Sequence, residues 1–278
     1  MSEAFDSGLT PLGVTTVTEA LDLEQLDAGL FRSTAYGKRD DRGAYGGLLI
    51  GQALRAASAT VPAGRVAHSL HGYFLRPAFA HLRTDYAVDI ERDGGQFSAR
   101  RVVGRQNGKV VLTMSASFQV AFDGPEHQFA ALPETQRPAF LETWSLGSRM
   151  LDVEARVPYD PEQFHRWPTR LWVRVGHALG EDVNLHTCAL AFISDLCTGL
   201  SKAPSVDQVG ILPSIDHSLW IHRPVLMDDW VLMDLHPEST NNGRGTYTGR
   251  IFDQRGMLAA TLAQESLFRV RPLTAKAP

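Results

Sequence analysis

Cysteine is nearly missing: the 278 residues hold two, Cys188 and Cys197, nine apart in an apolar stretch. That count and spacing give neither a disulfide framework nor a CxxC or Cys/His metal pattern, so a reducing, cytoplasmic setting is expected and no metal site. Runs of lysine or arginine are missing too. With 27 basic against 31 acidic residues and a net charge of −4, the chain lacks the footprint of a protein that binds nucleic acid or rests on anionic lipid. The opening MSEAFDSGLTPLG has no basic n-region and no long apolar run, so neither a signal peptide nor a transit peptide is expected, nor membrane insertion. P-loop, GxGxxG and HExxH patterns are absent. So is the GxSxG elbow, which leaves an acyl-serine route without support.

What is present is the composition of a soluble globular protein, 44% hydrophobic and 21% charged, long enough to bury a substantial core. Its partner is expected to be a small molecule. One phrase is written twice: HSLHGYFLRP starts at His68, and HSLWIHRP starts 149 positions later at His217. A second pair, QNGKVVLTMSASFQV from Gln106 and QRGMLAATLAQESLF from Gln254, repeats at a separation of 148. LFRSTAYG from Leu30 and LWVRVGHA from Leu171 match only in pattern. Together they indicate a duplicated unit of about 100 residues, far longer than a solenoid repeat. The expected division is an N-terminal unit over 20–124, a connector over 125–168 and a C-terminal unit over 169–272. The stretch from Gly124 to Pro168 holds six of the 15 prolines, a density that suits a connector with one short helix.

Each unit has the same order of signals. AYGGLLIGQALRAASATVP, 44–62, carries apolar residues at helical spacing, opens on two glycines and has Arg55 as its one charge. VNLHTCALAFISDLCTGL, from Val183, takes the same place in the second unit. After each helix come short alternating runs bounded by Asp-Gly-Gly, Asn-Gly and Pro, which are hairpin signals. Strand, buried helix and antiparallel meander, repeated, predict an α+β double hotdog: each unit a central helix wrapped by a curved antiparallel sheet.

The runs YGGLLIGQAL, HSLHGYFLRP, RDGGQFSARRV, MSASFQV, IDHSLWIHRP and AQES, in this order, closely resemble the double-hotdog acyl-CoA thioesterases of the bacterial type II kind, which have peroxisomal relatives. The resemblance covers almost the whole chain outside the first 20 residues and the connector. It implies hydrolysis of fatty acyl-CoA to free acid and CoA, without a metal or organic cofactor, by a water held by an Asp, a Thr or Ser, and a Gln. Carried over by motif, these are Asp195 of FISDLC, Ser214 just before IDHS, and Gln264 of AQES. Serine stands where many bacterial members have threonine, and the hydroxyl is retained. Relatives commonly assemble further, so a homo-oligomer, dimer or tetramer, is expected.

Each residue also has its own reading. Asp195 is the one formally charged residue between Asp182 and Lys202, in an apolar helix, where a carboxylate is costly unless something pairs with it. The competing view places it at an exposed or fraying helix end, capping Thr198. Alternation puts Ser214 on one strand face with Asp216, Ser218 and Trp220, and Ile215, His217, Leu219 and Ile221 on the other. Asp216 therefore rivals Asp195, and a serine at a strand start is ordinarily a turn hydroxyl. Gln264 interrupts a mostly apolar face with Ala260, Leu262, Ser266 and Phe268; a neighbouring strand would satisfy its amide as well as a substrate would. Gly46 and Gly47 would let backbone N–H groups reach a carbonyl oxygen of the substrate, or serve only close helix packing. In the 106/254 register Ala116 matches Gln264, and the first helix has no acid, so the N-terminal unit is expected to be catalytically degenerate. His68, His71, His217 and His222 read as hydrogen-bonded structural residues, because their spacing splits them between faces. Two other functions compete: an enoyl-CoA hydratase using Asp216 and His217, and an acyl-CoA or acyl-carrier binding protein without turnover.

Overall fold

The computed structural model describes residues 13–36, 43–158, 167–196, 199–203, 206 and 213–268. The first half of the chain runs α1 (Val17–Leu21), β1 (Leu23–Asp27), β2 (Leu30–Ser33), α2 (Gly46–Ser58), β3 (Val66–Phe74), β4 (Asp85–Asp93), β5 (Phe97–Gln106) and β6 (Lys109–Gln119). The second runs β7 (Thr143–Trp144), β8 (Val153–Arg156), β9 (Arg170–Val175), α3 (Val183–Ser194), β10 (Asp216–Ile221), β11 (Val231–Asn241), β12 (Arg244–Asp253) and β13 (Leu258–Leu267). All strands join one antiparallel sheet in the order β1-β2-β4-β5-β6-β3-β10-β13-β12-β11-β9-β8-β7. The order mirrors itself about the β3–β10 seam, where Tyr73 to Ser69 pair with Asp216 to Trp220. The twice-written HSL phrase lies on the two seam strands. LFRSTAYG and LWVRVGHA supply β2 and β9, which hold mirror positions.

Turn chemistry sets the hairpins. Asn107-Gly108 and Asn242-Gly243 both have positive φ, the backbone a tight two-residue hairpin turn requires, and they close β5–β6 and β11–β12. The 125–168 stretch is more structured than a connector with one helix. It holds two 3-10 turns at Pro138–Phe140 and Ser148–Met150, and it gives β7 and β8 to the sheet edge. Asp152, just before β8, accepts from the Val17 N–H at 2.8 Å and meets His177 Nδ1, whose Nε2 faces Thr18 Oγ1 at 2.7 Å. These bonds tie α1 of the first half to the second.

The two long helices are shorter than their apolar runs, 46–58 instead of 44–62, and 183–194 instead of running on from Asp195. They lie antiparallel inside the curled sheet with their backbones close. A Cβ at Gly47 would meet the Phe192 carbonyl oxygen at 2.1 Å, and one at Gly51 would meet that of Cys188 at 3.1 Å. At the far end Arg55 reaches the α3 N-cap, Asp182, at 2.9 Å. Asp182 also accepts from the N–H groups of Asn184 and Leu185, covering donors that the helix leaves open. Removing this cap in Asp182→Ala lowers stability by about 1 kcal/mol. An unchanged urea midpoint would show that the cap contributes nothing. Among the described residues, no helix is long and apolar enough to cross a membrane.

Candidate active site

Asp195 sits one residue beyond α3, at its C-cap, and is 2% exposed. It is thus at a helix end, as the competing view held, but a buried one; Thr198 lies outside the described residues. The place is buried because the N-terminus of α2 lies across it. The α2 N-cap, Tyr45, makes no side-chain capping bond, and its hydroxyl instead donates to the Phe192 carbonyl at 2.7 Å. The Asp195 carboxylate accepts from the Gly47 N–H and so caps α2 from the other half of the molecule. Gly46 leaves the room: a Cβ there would lie 2.5 Å from Asp195 Oδ2 and 2.9 Å from the Phe74 ring. Gly47 therefore answers the close-packing reading, and its N–H is turned to Asp195.

Ser214 Oγ donates to Asp195 Oδ1 at 3.1 Å, and Gln264 Nε2 donates to Ser214 Oγ at 2.6 Å. The three residues suggested by motif are joined in space. For Ser214 this overturns the alternation argument. β10 and β13 pair in register from Ile221–Ala260 to Ser218–Ala263, but the next bridge joins Ser214 to Ser266. Three residues of one strand thus oppose two of the other, a β-bulge, which moves Ser214 from the Asp216 face to the inner face of His217 and Gln264. Asp216, the rival acid, holds the bulge. The Ile215 N–H donates to the Glu265 carbonyl, and Asp216 Oδ1 accepts from the Glu265 N–H at 2.8 Å. The pairing also corrects the match of Gln264 to Ala116. Leu70 pairs with Ala116 and Leu219 with Leu262, so counting from the HSL rows Gln264 corresponds to Phe118. The two hairpins differ in arm length, which makes the glutamines near their tips poor markers. Phe118 is as unable to bind water as alanine, so the first half has no counterpart of the amide.

Burial dominates the electrostatics. Desolvation pushes the Asp195 pKa up to about 7, against the opposing bonds from Ser214, Gln264 and Gly47. A carboxyl poised there can both take and return a proton near neutrality.

His217 is unlike the other histidines singled out. His68 meets Ser117 Oγ at 2.8 Å, His71 meets Ser218 Oγ at 3.0 Å and His222 meets Thr261 Oγ1 at 3.1 Å, and none of the three is a buried residue. His217 is fully buried, with Nδ1 2.6 Å from Gln264 Oε1 and Nε2 2.8 Å from Ser194 Oγ. Its inward direction was readable from the alternation; its partners were not, because they come from β13 and α3.

Comparison with known proteins identifies the family. Residues 37–119 match the family model described as the acyl-CoA thioesterase N-terminal domain, and residues 123–268 match that of the C-terminal domain. The chain is 35% identical to human acyl-coenzyme A thioesterase 8 over 92% of its own length and 89% of that protein's. It is 31% identical to acyl-CoA thioesterase 2 of Haemophilus influenzae, over 90% and 95% respectively. The crystal structure of an acyl-CoA thioesterase II from Mycobacterium marinum superimposes with a TM-score of 0.78 at 34% identity, covering 94% of this chain and 99% of that one.

Proposed function

Because the chain belongs to the type II acyl-CoA thioesterases, we propose that it hydrolyses fatty acyl-CoA with a water held and activated by Asp195, Ser214 and Gln264. The observation that carries this reading is the buried Asp195 carboxylate, joined to Ser214 and Gln264 in one hydrogen-bonded chain. Ionised Asp195 takes a proton as water attacks the thioester carbon. Collapse of the tetrahedral intermediate breaks the C–S bond, and the proton passes from Asp195 to the departing sulfur, leaving free acid and CoA thiol. Ser214 and Gln264 orient the water. The N–H of Gly46, in the first turn of α2 where a helix makes no bond of its own, faces the growing negative charge with the helix dipole behind it. The catalytic groups then belong to the C-terminal unit, 169–272, and the N-terminal unit, 20–124, supplies the helix end that completes the site.

The test is thiol release from saturated acyl-CoAs of increasing chain length, followed from pH 5 to 9. The base must be ionised, so kcat/KM rises with pH through a midpoint near 7, the value to which burial brings Asp195, and then levels off. A flat profile rules out Asp195 as the base. Binding without thiol release on any substrate rules out the hydrolase.

A further inference from the structure

We infer that His217 is a positioning residue for the hydrolysis: by donating from Nδ1 to Gln264 Oε1, it fixes which end of the Gln264 amide faces the reacting water. The inference rests on the role proposed above for Asp195, Ser214 and Gln264. One acceptor-only group dictates the direction of every bond in the chain. Ionised Asp195 can only accept, so the Ser214 hydroxyl spends its proton on Oδ1 at 3.1 Å. Ser214 Oγ is left to accept, which calls for the NH2 end of Gln264 at 2.6 Å. Oε1 of the amide then faces His217, so the ring must carry its proton on Nδ1, 2.6 Å away. Nε2 is consequently bare and calls for the single Ser194 hydroxyl proton at 2.8 Å, in place of the Ala191 carbonyl that the same hydroxyl reaches at 3.0 Å.

An amide is nearly symmetric in shape, and nothing steric tells its oxygen from its nitrogen. With the polarity reversed, Gln264 would present an acceptor to Ser214, and the hydroxyl could no longer serve both neighbours. His217 is suited to hold it. The ring is fully buried, as is Ser194, and Gln264 is 2% exposed, so no water competes for these bonds. Burial also holds the His217 pKa down at about 4, so the ring stays neutral across the working range and its tautomer is defined.

The test compares His217→Phe, which keeps a planar ring without a donor, with His217→Asn, whose side-chain amide can place an N–H where Nδ1 stands. Both are made alone, and His217→Phe is repeated in a Gln264→Ala background. His217→Phe is expected to lower kcat about 10- to 100-fold with KM nearly unchanged, the scale on which lost orientation of a reacting group is felt. His217→Asn is expected to recover most of that loss. In the Gln264→Ala background His217→Phe adds nothing, because the residue acts through the amide. Equal rates for the Phe and Asn variants, or a full additional loss in the double variant, overturn the inference. If His217→Phe does not fold, Ser194→Ala serves. It frees the ring to place its proton on Nε2, so kcat is expected to fall several-fold, and an unchanged kcat again counts against the inference. Asp195→Asn run alongside separates the two levels. Wild-type rates in that variant overturn the catalytic reading and this one with it. An inactive Asp195→Asn beside a fully active His217→Phe overturns only the role of the histidine.

Discussion

Asp195→Asn lowers kcat about 10²- to 10⁴-fold, the range for loss of a general base, and at pH 8 it melts at a higher temperature than the wild type. The two effects share a cause. Asparagine keeps the shape of the side chain but cannot take a proton from water. It also carries no charge to be desolvated. With a folded pKa near 7 and an ordinary value of 3.8, the native state favours the protonated carboxyl. Its contribution to stability is complete below pH 4 and is lost as pH rises through 7; by pH 8 the ionised form disfavours folding by on the order of 4 kcal/mol. The advantage of the variant therefore shrinks as the pH is lowered from 8 to 5. Activity within about threefold of wild type would remove Asp195 from the mechanism. Melting curves that shift in parallel at both pH values would deny the raised pKa.

Gly46→Ala is expected to cost about 10²-fold in kcat although residue 46 belongs to the half that has no counterpart of Asp195 or Gln264. Its methyl group would stand 2.5 Å from Asp195 Oδ2 and 2.9 Å from Phe74, so either the carboxylate turns from the water or α2 withdraws. Displacements of about 1 Å at a reacting group are enough for a loss of this size. Gly95→Ala is the control, since a Cβ there meets nothing within 4 Å. Similar activity in the two alanine variants would mean that the first half does not complete the site.

The doubled fold is legible in the sequence because its two seam strands carry nearly the same words, and Asp195 is legible because one charge in an apolar helix demands a partner. Ser214 is legible only through the family resemblance. Period-two alternation assigns it to the wrong face, since the bulge at Ile215 is set by the bonds to Glu265 on another strand and leaves no mark on local hydrophobicity. Asp216 misleads for the same reason: a carboxylate that locks a bulge looks, in one dimension, like one that does chemistry. The end of α3 at Ser194 is equally hidden, because the apolar pattern continues past it. The bond from the Gly47 N–H to Asp195 depends on antiparallel packing of two helices, which the composition of neither one encodes.

In the proposed site, capping α2 with a residue from the opposite half ties the onset of activity to the order of assembly. Tyr45 and Phe192, which meet beside Asp195, are 147 positions apart, and Gln264 lies on β13, the strand that must slot between β10 and β12. Contacts so distant in the chain close late, after the local hairpins have formed. A nascent or refolding polypeptide with most of its sheet in place would still be chemically silent, and would hydrolyse nothing until both halves had docked.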